Sequence, residues 1–233
     1  MTRLVIFAKA PLPGAVKTRL IPALGADGAA ALARAMLAHT LQQALAAGLD
    51  AVELCVSPAP GDPAWHGVDR PAGVAWTAQG EGDLGERMDR AMQRALTRQT
   101  GPVLLIGTDC PALDSAQLRE AARQLAQHDA VLLPVADGGY VLIGLRAPCP
   151  AIFSHMAWST SSVAAETRQR LASLGLSVWQ GPVLHDIDEA ADLVHLPDGF
   201  VASNIKPNRP PAHAGQAPQA PDLIANPVPE PGP

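Results

Sequence analysis

Residues 4–20 read Leu4-Val5-Ile6-Phe7-Ala8-Lys9-Ala10-Pro11-Leu12-Pro13-Gly14-Ala15-Val16-Lys17-Thr18-Arg19-Leu20. The apolar run at the start of this stretch predicts a buried β-strand. The segment that follows, Lys9–Arg19, is called the basic loop below, and it holds two of the three lysines of the chain. In open α/β sheets ligands gather at the carboxyl ends of strands, so a basic loop in this place predicts an anion site.

Strand-like and helix-like segments alternate through the rest of the chain. This order predicts an α/β fold of three layers, in which helices cover both faces of a mostly parallel sheet. Asp137-Gly138-Gly139 lies between two apolar runs and predicts a hairpin, which would be the one antiparallel excursion. The predicted strands are residues 4–8, 51–56, 74–78, 103–107, 130–135, 140–145, 176–180 and 183–187. The predicted helices are residues 32–45, 84–96, 115–127, 161–174 and 189–196.

The composition predicts one domain followed by a tail. The chain has 233 residues, of which 48% are hydrophobic, enough for a full core. Nine of its 23 prolines fall in the last 29 residues, where too little apolar surface remains to order the chain. We therefore expect a domain at residues 1–204 and a disordered Pro-rich tail at residues 205–233. A Pro-rich binding motif in the tail is the alternative.

Several partner classes are disfavoured by the overall composition. The net charge of −5 and the pI near 5.7 argue against a nucleic-acid partner. The three cysteines fit no metal or redox spacing and suit a reducing compartment. The first apolar run is too short for a signal peptide, and no apolar run approaches membrane-spanning length. We expect a cytoplasmic protein without a membrane span, and the sequence leaves its oligomeric state open.

The charge is distributed unevenly along the chain. Residues 1–26 contain four basic side chains and no acid, whereas residues 171–205, called the acidic segment below, contain five acids and neither lysine nor arginine. We expect the fold to bring the two segments together around a nucleotide diphosphate and its metal. Exposed charges on a solvated loop are the plainer interpretation of the basic segment. A P-loop is excluded, because the glycine before Lys17 is missing and two prolines remove backbone donors.

Carboxylates follow two of the predicted strands. Asp109 comes directly after the buried strand 103–107, and Asp186 and Asp188 lie two residues apart in an extended segment, where their side chains share one side. Hard oxygen ligands without a His or Cys cluster favour Mg²⁺ or Mn²⁺. The alternatives are a turn formed by Asp109 and an N-cap formed by Asp188 for the short helix after it.

Six motifs occur in an order that resembles a known family. They are residues 7–20, Asp83-Leu84-Gly85-Glu86-Arg87-Met88, Gly107-Thr108-Asp109-Cys110-Pro111, Asp137-Gly138-Gly139-Tyr140, Trp158-Ser159-Thr160 and Asp186-Ile187-Asp188. The pattern resembles the bacterial DUF2064 family of nucleotide-diphospho-sugar transferases, which have the GT-A fold. It is more distantly similar to the phospholactate and molybdenum-cofactor guanylyltransferases. Those relatives commonly end in an Asn/Asp-Thr-Pro-Glu-Asp motif, which reads Asp188-Glu189-Ala190-Ala191-Asp192 here.

The resemblance implies roles for individual residues. The nucleotide phosphates would contact the basic loop, at Lys9, Gly14, Lys17, Thr18 and Arg19. The metal would bind Asp109, Asp186 and Asp188, and Lys17, Asp109 and Asp188 would carry the chemistry. The Gly-rich segment around Asp83, from Gln79 to Arg87, would line the nucleoside. The acceptor or transferred sugar would face Asp137, Gly138, Gly139, Tyr140 and Trp158. For residues 137–140 the alternative is a simple hairpin turn. For Trp158-Ser159-Thr160 the alternative is capping of the helix that follows.

Three functions are compatible with the sequence. The resemblance favours a metal-dependent glycosyltransferase that uses a nucleotide-diphospho-sugar donor and a small-molecule acceptor. A nucleotidyltransferase is the alternative, which would join a nucleoside triphosphate to a phosphorylated acceptor and release pyrophosphate. The basic loop favours this second reaction, because a triphosphate needs more positive charge than a diphosphate sugar. A non-catalytic nucleotide-binding module is the third function, and the presence of the carboxylates argues against it.

Overall fold

A computed structural model describes residues 1–98, 101–197 and 200, and within them seven strands form one sheet. The strands are β1 (Arg3–Lys9), β2 (Ala51–Ser57), β3 (Val74–Ala78), β4 (Val103–Ile106), β5 (Ala130–Pro134), β6 (Tyr140–Leu145) and β7 (Val178–Gln180). Their order in the sheet is β3-β2-β1-β4-β6-β5-β7.

Most neighbouring strands of the sheet are parallel. β1 lies at its centre between β2 and β4, and both pairs are parallel. Only β6 runs the other way, antiparallel to β4 on one side and to β5 on the other. The predicted α/β fold with one antiparallel excursion is confirmed. Because β1 and β4 are parallel neighbours, the basic loop after β1 and Asp109 after β4 emerge at the same edge of the sheet.

Among the elements of the described residues, four α-helices cover the two faces of the sheet and give the predicted three layers. They are α1 (Ile21–Ala46), α2 (Leu84–Arg98), α3 (Ser115–Gln124) and α4 (Val163–Ser173). Leu4 and Ile6 of β1 belong to a core cluster with side chains of α1 and α3. Val5 points to the opposite face, into a cluster with side chains of α2 and α4. This alternation explains why residues 4–8 of the first strand are all apolar, since both faces of the strand pack against helices.

A third, smaller cluster joins distant parts of the chain. Leu20, directly after the basic loop, packs with Ile187, which lies between Asp186 and Asp188. Both side chains are fully buried, together with Leu32 and Met36 of α1. Burying a Leu or Ile side chain contributes about 1.5–3 kcal/mol. Apolar packing therefore places the basic and the acidic segments side by side, independently of their charges.

Helix α1 begins eleven residues before the predicted start at residue 32 and ends, as expected, before Gly48. With the 3-10 turn ahead of it, Thr18–Ala46 is the one helix among the described residues that is long and apolar enough to cross a membrane. Arg19, Asp27 and Arg34 interrupt this helix, so it is not an unbroken apolar run of the kind that the sequence lacks. Its residues Leu32 and Leu37 are buried in the core clusters. Cytoplasmic location stays a prediction.

Several predicted elements differ from the structure at their ends, and one is wrong. Residues 183–187 do not form a strand, because after a single bridge from Leu184 to Val135 the chain crosses the strand ends. The main chain there bonds instead to the loop that follows β4, residues 107–114 (the β4 loop), with Ile187 N donating to Asp109 O at 2.8 Å. Residues 190–195 form a 3-10 helix. The predicted tail, residues 205–233, lies outside the described residues.

Substitution of Gly144 by Ala tests the packing of the sheet. A Cβ atom on Gly144 in β6 would lie 2.5 Å from a methyl group of Val131 and 2.6 Å from one of Leu104. We expect Gly144→Ala to lower the free energy of unfolding by about 1–3 kcal/mol, the usual cost of overpacking a core. Chemical denaturation measures this loss. Gly107→Ala is the control, since its nearest neighbour would lie 4.0 Å away. Equal stability of the two variants would contradict the packing.

Candidate functional site

A cleft of about 600 Å³ opens at the carboxyl ends of β1 and β4. The basic loop forms one wall, the hairpin between β5 and β6 forms another, and Trp158-Ser159-Thr160 closes a third. The predicted site residues that line the cleft are Lys9, Lys17, Thr18, Arg19, Asp109, Asp137, Gly139, Tyr140, Trp158 and Asp188. Gly14, Asp83, Gly138 and Asp186 are not among its lining residues.

Three oxygen atoms from distant segments surround the ammonium group of Lys17. Its Nζ lies 2.5 Å from Asp109 Oδ1 and 2.8 Å from Asp188 Oδ1. It also donates a hydrogen bond to the carbonyl oxygen of Ile187 at 2.7 Å. The Lys17 side chain is only 7% exposed, whereas those of Asp109 and Asp188 are about half exposed. One buried cation thus joins the basic loop, the β4 loop and the acidic segment.

Lys17 stays charged in this position. Burial by itself lowers the pKa of the amine, but the attraction of Asp109 and Asp188 outweighs it and raises the pKa above its ordinary value. The backbone of Lys17 is left-handed, with φ 48°. This conformation is uncommon for a residue with a side chain, and residues held in it are often found at functional sites. Ser159, with φ 63°, is a second such residue on the cleft wall.

The oxygen atoms around Lys17 are also suitable ligands for a hard divalent cation. Two carboxylates and a main-chain carbonyl already converge on one cation, and Mg²⁺ commonly takes one or two carboxylates and completes its shell with water and phosphate. A cluster of three or more His, Cys, Asp or Glu side chains that could hold a metal is absent from residues 1–98, 101–197 and 200. Asp109 and Asp188 therefore fit a metal that arrives with a phosphate ligand.

Asp186 lies near these carboxylates but does not contact Lys17 at hydrogen-bond distance within the described residues. Burial, and then repulsion from Asp137 and Asp188, raises its pKa to about 6. Its predicted role as a metal ligand stays a prediction. The alternative role of Asp188 as a helix cap is filled by its neighbour, since Glu189 is the N-cap of the 3-10 helix that follows. Asp188 is thus free to bind Lys17.

The hairpin combines a turn with a wall of the cleft. Asp137 Oδ1 accepts a hydrogen bond from Gly139 N at 2.7 Å, as expected of a tight turn. Gly138 has φ 93°, and a Cβ there would lie 2.0 Å from the carbonyl oxygen of Ser161, so this position requires glycine. The turn packs against the start of α4, where Ala164 N donates to Gly138 O at 2.9 Å. Turn formation and a role facing a ligand are therefore compatible.

The aromatic side chains of the cleft, Tyr140 and Trp158, are held in place by helices α2 and α4. Trp158 packs over Gly85 of α2, where a Cβ would come within 2.8 Å of its indole nitrogen. Trp158 and Tyr140 meet edge to face, with ring centroids 6.5 Å apart. The hydroxyl of Tyr140 is buried beside Thr167 of α4. Helix α4 begins at Val163 with Ser162 as its N-cap, so Trp158-Ser159-Thr160 does not cap it. Contact of Trp158 with a sugar stays a prediction.

The segment after β3 contributes a different residue from the one predicted. Asp83 caps α2, since its Oδ1 accepts from Glu86 N and its own N–H donates to Glu86. Gln79 instead lines the cleft and is buried. Its side-chain nitrogen donates to the carbonyl oxygens of Ala8 and Cys55, both at 3.1 Å. The two bonds hold the carboxamide across the ends of β1 and β2. Its position directly after β3 was the only signal for this residue in the sequence.

Comparison with known proteins identifies relatives of this chain. The sequence profile of DUF2064, described as an uncharacterized protein family conserved in bacteria, matches residues 40–160. A crystal structure from Desulfovibrio desulfuricans, provisionally assigned as a nucleotide-diphospho-sugar transferase, is 34% identical with a TM-score of 0.76. That alignment covers 82% of this chain and 84% of the other. No curated protein matches the chain at a significant level.

More distant structures share the fold. Rv0371c from Mycobacterium tuberculosis, solved in complex with manganese, is 19% identical, with a TM-score of 0.51 over 83% of this chain and 96% of that one. The 4-diphosphocytidyl-2C-methyl-D-erythritol synthase from Anaerococcus prevotii is 12% identical, with a TM-score of 0.51 over 83% of this chain and 95% of that one. At these identities the likeness concerns the fold alone.

Alkaline titration tests the burial of Tyr140, the only tyrosine of the chain. Burial raises the pKa of its phenol, so the folded state holds the proton more tightly than the unfolded chain does. Its contribution to stability is complete below about pH 10 and is lost as the pH rises further. We expect tyrosinate absorbance to appear only at the pH at which the protein unfolds, and circular dichroism measures that unfolding. Tyr140→Phe supplies the baseline. Tyrosinate in a protein with native dichroism would contradict the burial.

Proposed function

The chain belongs to the DUF2064 family, and on that premise we propose that it is a metal-dependent glycosyltransferase with a nucleotide-diphospho-sugar donor. The observation that carries the proposal is the convergence of Lys17, Asp109 and Asp188 in the cleft beside the basic loop. The Desulfovibrio desulfuricans relative, with its provisional assignment to the same class of transferases, supports it. The manganese complex of Rv0371c agrees with a divalent metal in this fold.

Each wall of the cleft would bind one part of the donor. Lys9, Lys17 and Arg19 would bind the diphosphate, together with Thr18 and the backbone around Gly14. Asp109 and Asp188 would hold Mg²⁺ or Mn²⁺, which supplies a Lewis acid for the phosphate oxygens when it is bound. Gln79 would meet the nucleoside, since it lines the cleft and its side-chain nitrogen is held by the ends of β1 and β2.

The acceptor would bind on the opposite wall. Asp137, Gly139, Tyr140 and Trp158 line that side, with Gly138 shaping the turn behind them. In the reaction, the bond between the anomeric carbon and the β-phosphate oxygen breaks, and its electron pair leaves with the nucleoside diphosphate. The acceptor oxygen bonds to the anomeric carbon, and its proton passes to solvent water. Lys17 and the other cations would stabilise the negative charge that develops on the leaving phosphate.

The charge balance of the cleft favours a diphosphate donor. Its lining residues include three cations, Lys9, Lys17 and Arg19, and three carboxylates, Asp109, Asp137 and Asp188. In the sequence the basic loop suggests an excess of positive charge, but in the folded cleft the three carboxylates balance the three cations. A metal–diphosphate pair carries less net negative charge than a metal–triphosphate pair and matches such a cleft more closely.

Nucleotidyl transfer is the second candidate, and Lys9 is the residue that favours it. Lys9 is exposed at the end of β1 and has no carboxylate within ion-pair distance in the described part of the chain. Because no carboxylate neutralises it, the ammonium group of Lys9 is available to bind an additional phosphate group. The reaction would then release pyrophosphate rather than a nucleoside diphosphate.

Product analysis separates the two reactions. The protein is incubated with Mn²⁺ or Mg²⁺ and a panel of nucleotide sugars and nucleoside triphosphates, and the products are resolved by anion-exchange chromatography. We expect metal-dependent release of a nucleoside diphosphate from a nucleotide sugar, at least slowly with water as the acceptor. Release of pyrophosphate from a triphosphate, without any nucleoside diphosphate from the sugars, would overturn glycosyl transfer.

Substitution of Asp109 tests the metal site. We expect Asp109→Asn to weaken metal-dependent binding of a nucleotide diphosphate by about ten- to a hundredfold, because it removes a charged oxygen ligand. Calorimetric titration with and without Mn²⁺ measures the effect. Asp114→Asn is the matched control. Asp114 is the exposed N-cap of α3, a few residues along the same segment, and asparagine caps helices equally well. If Asp109→Asn binds the metal and the nucleotide diphosphate as tightly as the wild type, Asp109 is not a ligand of the metal.

A further inference from the structure

The oxygens that fit a metal are already bound to a cation of the protein itself. Asp109 Oδ1, Asp188 Oδ1 and the carbonyl oxygen of Ile187 all lie within 2.8 Å of Lys17 Nζ. A divalent ion that used the same carboxylate oxygens would compete with the ammonium group for them. Free metal and Lys17 are therefore alternative occupants of one position.

Displacement of Lys17 by metal alone would be costly. The side chain is 7% exposed, so an ammonium group that lost both carboxylates would be left buried beside a divalent cation. A buried charge without a partner is strongly unfavourable, and repulsion from the metal adds to the cost. Asp109 and Asp188 are about half exposed, which moderates the cost without removing it.

A polyphosphate provides the missing partner. Lys17 lines the same cleft as Lys9 and Arg19, on a flexible four-carbon side chain whose ammonium can turn to new acceptors. When phosphate oxygens lie next to it, Lys17 can exchange its carboxylate partners for phosphate while the metal takes the carboxylates. Every charge then keeps a partner of opposite sign, which makes the binding of metal and polyphosphate mutually favourable.

We propose that Lys17 is a resident counter-ion that keeps the metal position closed, so that the protein binds divalent metal only together with a polyphosphate. This inference rests on the proposed function. It specifies that the substrate is a nucleotide sugar whose diphosphate already carries the metal, and that the free metal does not bind first or separately. By linkage, the presence of metal strengthens polyphosphate binding by the same factor as polyphosphate strengthens metal binding.

Binding of Mn²⁺ alone gives the first test, with free Mn²⁺ measured by electron paramagnetic resonance. We expect weak binding by the wild type and binding about tenfold tighter by Lys17→Met, because the competing cation is gone. Lys17→Gln is the second variant, in case Lys17→Met folds poorly. Lys9→Met removes a charge from the same cleft without touching Asp109 or Asp188, and should stay within about twofold of the wild type.

A double variant locates the gain. Adding Asp109→Asn to Lys17→Met should abolish the tighter Mn²⁺ binding, since the metal then lacks one of the freed carboxylates. Folded Lys17 variants that bind Mn²⁺ no more tightly than the wild type would overturn the inference. An equal gain in Lys9→Met would overturn it as well, because general charge in the cleft would then explain the effect.

Inorganic pyrophosphate tests the coupling without any assumption about the base. Calorimetry measures its affinity at zero and at saturating Mn²⁺. We expect Mn²⁺ to tighten pyrophosphate binding by about tenfold or more in the wild type and much less in Lys17→Met. Equal tightening in both proteins would overturn the inference while leaving the proposed function intact. Failure of the wild type to bind pyrophosphate or any nucleotide, with the Lys17→Met gain for Mn²⁺ present, would overturn the proposed function and the coupling to polyphosphate, and would leave only the competition between Lys17 and the metal.

Discussion

The contact between the ammonium group of Lys17 and the carboxylates of Asp109 and Asp188 links three segments that are far apart in the sequence. Lys17 and Asp188 are 171 residues apart, yet their atoms lie 2.8 Å from each other. The basic loop, the β4 loop and the acidic segment each contribute one charged group. The contact brings charged groups from the three segments together in the cleft.

Packing of apolar side chains holds Lys17 and Asp188 close enough for this contact. Leu20 and Ile187 are buried against α1, so the residues next to Lys17 and Asp188 are held by the core. The bond from Ile187 N to Asp109 O fixes the acidic segment on the β4 loop. Ion pairs with half-exposed carboxylates contribute little stability by themselves. The apolar cluster therefore accounts for the position of the segments, and the ion pairs account for their chemistry.

The sequence predicts much of this arrangement and misses a specific part. The apolar run of β1 and the alternation after it predict the three layers, because hydrophobic periodicity reflects burial directly. The opposite charges of the two segments predict that they meet, and Lys17–Asp188 and Arg19–Glu189 confirm that they do. The left-handed backbone of Lys17 depends on tertiary contacts and gives no local pattern. For the same reason Gln79 could not be distinguished from Asp83, whose carboxylate is used by α2.

The central claim is that this cleft binds a metal-bound polyphosphate through Asp109 and Asp188, with Lys17 moving to the phosphate. A crystal structure with Mn²⁺ and pyrophosphate tests it most directly, because anomalous scattering locates the manganese. The account predicts an anomalous peak bonded to oxygens of Asp109 and Asp188, with Lys17 Nζ turned away from both carboxylates and bonded to a phosphate oxygen. Manganese bound elsewhere, or Lys17 still joining the two carboxylates beside bound pyrophosphate, would contradict it.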